Sequence, residues 1–154
     1  MDEDADVEIV RIGAQGDGVG QRDGEAVYVP FALPGERWRV GEGGMLRLAG
    51  GPPRAAPVCR HFLRCGGCVA QHMPEAFYRD WKRGLVAEAF GHRGIDADVA
   101  PLVVVAAASR RRAVFGAAVL DGKIALGFRE AGSHTLVDLA ECPVLDPAIV
   151  ATFG

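Results

Sequence analysis

The chain has 154 residues, enough for one ordinary domain or two small ones with a buried core. Hydrophobic residues make up 49% and charged residues 24%, a balance that excludes disorder over most of the length. The net charge is −3, yet Asp2, Glu3, Asp4, Asp6 and Glu8 alone carry −5, so everything after residue 8 sums to +2.

Residues 7–40 read as short strands punctuated by glycine turns. VEIVRI (7–12) alternates apolar and polar, QRDGEAVYV carries Asp23-Gly24 as a hairpin signal, and Pro34-Gly35 turns the chain into WRV. GMLRLAG (44–50) adds one more strand, and strands at this spacing point to a small barrel or sandwich. The glycines between Gly13 and Gly20 miss the G-x-G-x-x-G spacing and precede no amphipathic helix, so they read as turn residues and not a dinucleotide loop. GGPPRAAP (50–57) denies both helix and central strand and reads as a linker. Then MPEAFYRDWKRGLVAEAFGH predicts a helix, with Pro74 in its first turn, Glu75 at its positive end and Gly91 at its stop. Phe77, Trp81, Leu85 and Ala89 fall four apart, with Tyr78, Val86 and Phe90 beside them, one apolar face expected to pack as core. From Val99 onward PLVVVAAA, AVFGAAVL, KIALGF and HTLVDL are four β-like runs, with Asp121-Gly122 as a hairpin turn between the middle pair. A helix with antiparallel strands makes this half α+β. The apolar run from Val99 to Ala108 is about half of a bilayer crossing, and the acidic N-terminus is the opposite of a targeting peptide. A cytoplasmic protein without membrane association is expected.

CRHFLRCGGCVAQH (59–72) places Cys59, Cys65 and Cys68 within ten positions, and the fourth cysteine, Cys142, lies 74 residues beyond Cys68, directly before Pro143. Three readings compete. Disulfides suit an oxidising compartment, for which no export signal speaks. A thioredoxin-like Cys65-Gly-Gly-Cys68 would leave Cys59 and Cys142 idle and lacks the βαβ surroundings. A metal site uses all four, because soft thiolates select zinc or an iron–sulfur cluster. Structural zinc usually takes two close pairs. Three clustered cysteines with a remote Cys-Pro sit closer to iron–sulfur ligation, and Gly66 and Gly67 let the backbone approach a bulky group. A Cys₃His set with His72 in place of Cys142 stays open at this point.

Between Arg54 and Arg112 ten Arg or Lys face five Asp or Glu, and of 17 basic residues in the chain only Lys82 and Lys123 are lysine. Arginine forks phosphate and stacks on bases, so the bias suits RNA. The plain alternative is that an Ala-, Gly- and Arg-rich composition follows genomic base content. Arg110, Arg111 and Arg112 are the candidates for phosphate or flipped-base contact, with Arg129 and His134 behind them; the bland reading of the run is a solvated edge ahead of a strand.

Four stretches, VEIVRIGAQGDGVGQRDGEAVYVPFALPGERWRV (7–40), CRHFLRCGGCVAQH (59–72), SRRRAVF (109–115) and GFREAGSHTLVDLAECPVLDP (127–147), together resemble the N-terminal part of the RNA uracil-C5 methyltransferases, in particular the 23S rRNA branch. The resemblance covers nearly the whole chain. It implies a mainly β or α+β molecule: a five-stranded oligonucleotide-binding-like barrel of the TRAM type over 1–56, then an α+β domain with an antiparallel sheet over 57–154. It also implies a [4Fe–4S] cluster on Cys59, Cys65, Cys68 and Cys142 with a structural or RNA-shaping role, and RNA, 23S rRNA in particular, as the partner of a monomer. Members of that family continue into a Rossmann-like domain that binds S-adenosylmethionine and supplies a nucleophilic cysteine. This chain has no glycine-rich strand-to-helix turn for that cofactor and no spare cysteine, so by itself it is expected to be inactive. Ser109 departs from the pattern, standing where an aromatic residue is common. The rival classes are a stand-alone zinc-binding interaction module and a small redox protein.

Overall fold

The computed structural model describes residues 5–120 and 122–153; Asp2, Glu3 and Asp4 of the acidic segment, and Asp121 of the second hairpin, lie outside the described residues. Five strands come first: β1 (Ala5–Ile12), β2 (Gly18–Arg22), β3 (Glu25–Val29), β4 (Glu36–Gly41) and β5 (Gly44–Gly50). They form one antiparallel sheet in the order β3-β2-β1-β4-β5. Strand β1 serves both neighbours by halves, Ala5–Glu8 pairing with β4 and Ile9–Ile12 with β2. A bulge between Ile9 and Arg11 breaks the period of two, so Val7, Ile9 and Ile12 all point inward while Val10 is exposed. The inner side packs Val7, Ile9, Val29 and Ala32 against Val27, Trp38 and Val40.

The turns are those the sequence predicts. Asp23 and Gly24 both take positive φ (53° and 83°), the two-residue turn whose twist suits a hairpin, between Arg22 and its partner Glu25. Gly35, after Pro34, has φ of 82°, and Glu36 N–H closes the turn on Leu33 O at 3.1 Å. Of the five-stranded barrel expected over 1–56 the structure shows five antiparallel strands in one sheet; among the described residues no ladder joins its edges, β3 and β5.

Helix α1 (Glu75–Gly91) follows, begun by Pro74 without a side-chain cap and steadied by Arg79 on Glu75, 3.0 Å from Nε to Oε1. Past its end Gly94 takes φ of 68° and Ile95 N–H returns to Phe90 O at 3.1 Å, a glycine-stopped terminus. Trp81 donates from Nε1 to Gly13 O at 3.3 Å, and Lys82 Nζ stands 4.3 Å over the Trp81 ring. The expected core face is only half-buried: none of the helix residues is fully buried, and Val86 and Phe90 are exposed. Trp81 reaches Gly13, and Leu85 and Ala89 line a shallow cleft with Arg11, Gly13 and Tyr28.

The second sheet is smaller. Strands β6 (Gly116–Leu120), β7 (Lys123–Arg129) and β8 (Leu136–Asp138) run antiparallel in the order β6-β7-β8, and a four-residue helix α2 (Pro147–Val150) is capped by Asp146, whose Oδ1 accepts from Ala148 N at 2.9 Å. Gly127 is obligatory here, because a Cβ on it would run into Val137 O. Cys65, Val137 and Leu139 pack with Phe115, Phe128 and Phe153, the Phe115 ring 5.1 Å from Phe128 and 5.4 Å from Phe153.

Of the four β-like runs expected, PLVVVAAA forms no strand. Val103 and Val105 are 87% and 79% exposed, since β-branched residues make a strand only where a partner ladder accepts their backbone. Contacts group the chain into two units, one of residues up to Ala55 with His72–Leu102, the other of Ala56–Gln71 with Val103 onward. These groupings differ from the linear segments 1–56 and 57–154, because the helix that follows the cysteine loop makes its contacts with the first sheet. Among the described residues no helix is long and apolar enough to cross a membrane.

Candidate functional site

The cysteine loop is a run of tight turns. Phe62 N–H bonds Cys59 O at 3.1 Å, and Cys65 N–H bonds His61 O at 2.8 Å. Gly66 N–H then donates to Arg129 O at 2.9 Å, giving an isolated antiparallel bridge between Cys65 and Glu130 at the end of β7. A Cβ on Gly66 would lie 2.8 Å from Arg129 O, so only glycine permits this approach. Gly67 N–H points at Cys65 Sγ, 3.4 Å away. Arg64 closes the loop from outside with an ion pair to Glu130 at 2.7 Å.

The Cys142 segment is tied down from two sides. Ala108 N–H donates to Pro143 O (2.9 Å), Arg110 N–H to Val144 O (3.1 Å), and Asp146 N–H back to Arg110 O (3.0 Å), a short parallel pairing of 108–110 with 143–146. From the cysteine loop, Arg60 N–H donates to Glu141 Oε1 at 2.8 Å and His61 Nε2 accepts from Ala140 N–H at 3.3 Å. Two stretches separated by 74 residues are thereby held side by side.

Between them lies a cavity of about 180 Å³, and Cys59, Cys65, Cys68 and Cys142 all line it, with Phe62, Phe128 and Leu139 on its apolar side. No disulfide joins any of the four. Burial pushes the Cys59 and Cys65 thiols up; the neighbouring Cys142 and Cys68 reinforce the shift at both, Glu141 at Cys59, and backbone N–H groups oppose it. Thiols so placed stay protonated unless a cation is present to hold them as thiolates. Among the described residues no three His, Cys, Asp or Glu side chains converge as ligands of a single ion. The space is also far larger than one ion needs, given that a water occupies about 10–15 Å³ on this scale. Four soft donors around such a space suit a group of several atoms.

His72 does not join them. It is 2% exposed in the other unit, set edge-on to the Phe31 ring at 5.9 Å, and burial with the Arg54 charge lowers its pKa to about 4.

Arg110, Arg111 and Arg112 are exposed and line a shallow cleft with Val114, Phe115 and Ile149; among the described residues they make no ion pair. Arg110 also belongs to the wall of the cysteine cavity and donates from Nε to Arg112 O at 3.2 Å. Arg129 and His134 meet across the β7–β8 connection, Nη1 to Nδ1 at 2.5 Å, so the structure joins them as a pair. Sequence reasoning passed over Glu141, His61 and Gln71 at the cysteine site, although Glu141 stands next to Cys142 and His61 two residues after Cys59. Gln71 Oε1 accepts from Cys59 N–H at 3.2 Å.

No protein-family model matches the chain. Curated proteins do. The chain is 46% identical over 150 residues to an RNA methyltransferase of Brucella suis, covering 94% of this chain and 36% of that protein. Over nearly its whole length this chain is similar to the N-terminal part of proteins named RNA methyltransferases. An RNA methyltransferase of Caulobacter vibrioides is 41% identical over 95% of the chain and 37% of its own length. The 23S rRNA (uracil(1939)-C(5))-methyltransferase of Halomonas elongata is 41% identical over 82% of the chain and 29% of its own. The chain thus spans a little over a third of the length of most of these RNA methyltransferases, corresponding to their N-terminal part. The resemblance read from the cysteine and glycine motifs is borne out at this level.

Proposed function

We propose that the chain is the RNA-recognition part of an S-adenosylmethionine-dependent 23S rRNA (uracil-5-)-methyltransferase, with a [4Fe–4S] cluster on Cys59, Cys65, Cys68 and Cys142 and no catalytic residue of its own. The observation that carries it is the convergence of all four cysteines on one cavity from two distant stretches of chain. In this reading the cluster is a staple, and the methyl donor binds in a further domain such as the relatives' greater length has room for. The first sheet, in the place of a TRAM-type barrel over 1–56, offers loops and a face to RNA. Arg110, Arg111 and Arg112 contact phosphate or the strand displaced when a uracil leaves its stack, and the Arg129–His134 pair adds a second contact. Anaerobically purified protein is expected to be brown, with iron and acid-labile sulfide in equal amounts. Stoichiometric zinc without sulfide would sink the cluster.

RNA contact has its own test. Phosphate neutralisation makes affinity fall as salt rises, with a slope set by the number of contacts. Replacing Arg110, Arg111 and Arg112 together by alanine should flatten that slope by about two to three contacts' worth in fluorescence-anisotropy titrations. Deleting residues 1–4, with their three carboxylates, should strengthen binding while leaving β1 whole. Unchanged affinity and slope in the triple variant would leave the run a solvated edge.

A further inference from the structure

We propose that Arg110 is a positioning residue of the cysteine cavity, its backbone fixing the Cys142 segment and its charge offsetting that of the thiolates. The inference rests on the cluster reading above. Of three consecutive arginines, only Arg110 exchanges backbone hydrogen bonds with the segment after Cys142, at Val144 and Asp146. Only Arg110 also lines the space walled by the four cysteines; Arg111 and Arg112 line the outer cleft alone. Among the residues lining the cavity Arg110 is the one cation and Glu141 the one carboxylate, and Glu141 is drawn off by Arg60 at 3.6 Å. Exposed arginines in a row look equivalent in sequence; the backbone pairing turns one of them toward a second task.

The physical effect is direct. Four thiolates around one group gather negative charge in a partly buried space, and the positive charge of Arg110, a residue that lines that space, stabilises it. The more reduced state of an iron–sulfur group is the more negative one, so a neighbouring cation raises its reduction potential. The same charge lowers the tendency of the thiolates to take up protons and let go of iron.

The experiment loads the whole chain anaerobically and compares wild type with Arg110→Gln, Arg110→Lys and Arg111→Gln. Glutamine keeps the backbone pairing and much of the side-chain bulk, and far-UV circular dichroism checks the fold. The readouts are iron and sulfide per chain, the midpoint of a spectroscopic redox titration, and the rate of bleaching in air. Arg110→Gln is expected to lower the midpoint and to bleach several-fold faster, Arg110→Lys to restore most of both, and Arg111→Gln to keep the wild-type midpoint and bleaching rate. Loss of iron from Arg110→Gln with retention in Arg110→Lys supports the same role. A midpoint and bleaching rate unchanged in Arg110→Gln, or an equal shift in Arg111→Gln, overturns the inference while leaving the cluster intact. Zinc without sulfide in the wild type overturns the cluster reading and this inference with it.

Discussion

Cys65→Ser is expected to abolish the visible absorbance of anaerobically loaded protein and to cost the second unit about 4 kcal/mol of stability. The proposed cluster would link Cys68 to Cys142 and close roughly 75 residues, and by the chain-entropy argument such a closure removes about 4 kcal/mol of freedom from the unfolded state. Cys65 is the buried member of the four and sits in the core with Val137 and Leu139. Serine there loses an apolar contact and, in the proposed cluster, a ligand. Among the described residues that core gathers Cys65, Val137 and Leu139 with three phenylalanines, and small cores depend on such staples. Chemical unfolding followed by circular dichroism, with and without an iron chelator, measures the effect. Colour and midpoint both retained in Cys65→Ser, or a wild-type midpoint indifferent to chelation, would remove the staple from the account.

What the sequence shows about this molecule is what short-range chemistry dictates. The hairpin at Asp23-Gly24 and the turn at Pro34-Gly35 were legible because positive φ is written in the residue types themselves. The helix was legible from Pro74 to Gly91 for the same reason, its period and end signals being local. PLVVVAAA misled because strand propensity says nothing about whether a neighbour is present to receive the ladder. The apolar helix face misled in a related way: period shows which residues share a face, not how much of that face is covered. At the cysteine site the three clustered thiols and the remote one stood out by spacing alone. Their meeting depends on bonds from Arg60 to Glu141 and from Arg110 to Val144, which no local pattern encodes. Glu36 was invisible altogether, one carboxylate among twenty acidic residues whose special status comes from an arginine 18 positions away.

That carboxylate should be the second most sensitive position. Glu36 is fully buried at the start of β4, beneath the backbone of Gly51, where a Cβ would collide with its side chain. Its Oε2 accepts from Leu33 N–H (2.9 Å), Trp38 Nε1 (2.9 Å) and Arg54 Nη2 (2.8 Å), and its Oε1 from Arg54 Nε (2.8 Å), with Arg47 Nε at 3.1 Å. Arg54 Nη2 also reaches Phe31 O at 2.9 Å, so one ion pair fastens the linker to the turn before β4. Burial pushes the carboxyl up, but the bonds from Arg54, Leu33 and Trp38 and the Arg54 charge outweigh it and leave the pKa below the ordinary 4.5. Removing one partner of such a pair strands the other, at a cost of about 3–5 kcal/mol, nearer the lower figure here because Arg54 keeps some solvent. Glu36→Gln, of the same size, should therefore lose about 3 kcal/mol in urea unfolding of the first unit. The pH dependence separates charge from shape. A depressed carboxylate contributes stability that is fully present above its unfolded pKa and lost as pH falls through the folded one, so wild type should weaken progressively below about 4.5. His72, held neutral with a pKa of about 4 against an ordinary 6.5, adds an earlier loss across that interval, because the unfolded chain binds its proton first. In Glu36→Gln the step below 4.5 should vanish while the loss that begins near 6.5 remains and runs lower, because the Glu36 charge no longer raises the His72 pKa. A variant that unfolds at the wild-type urea concentration, or that keeps the full acid limb, would show that Arg54 finds equal solvation without its carboxylate.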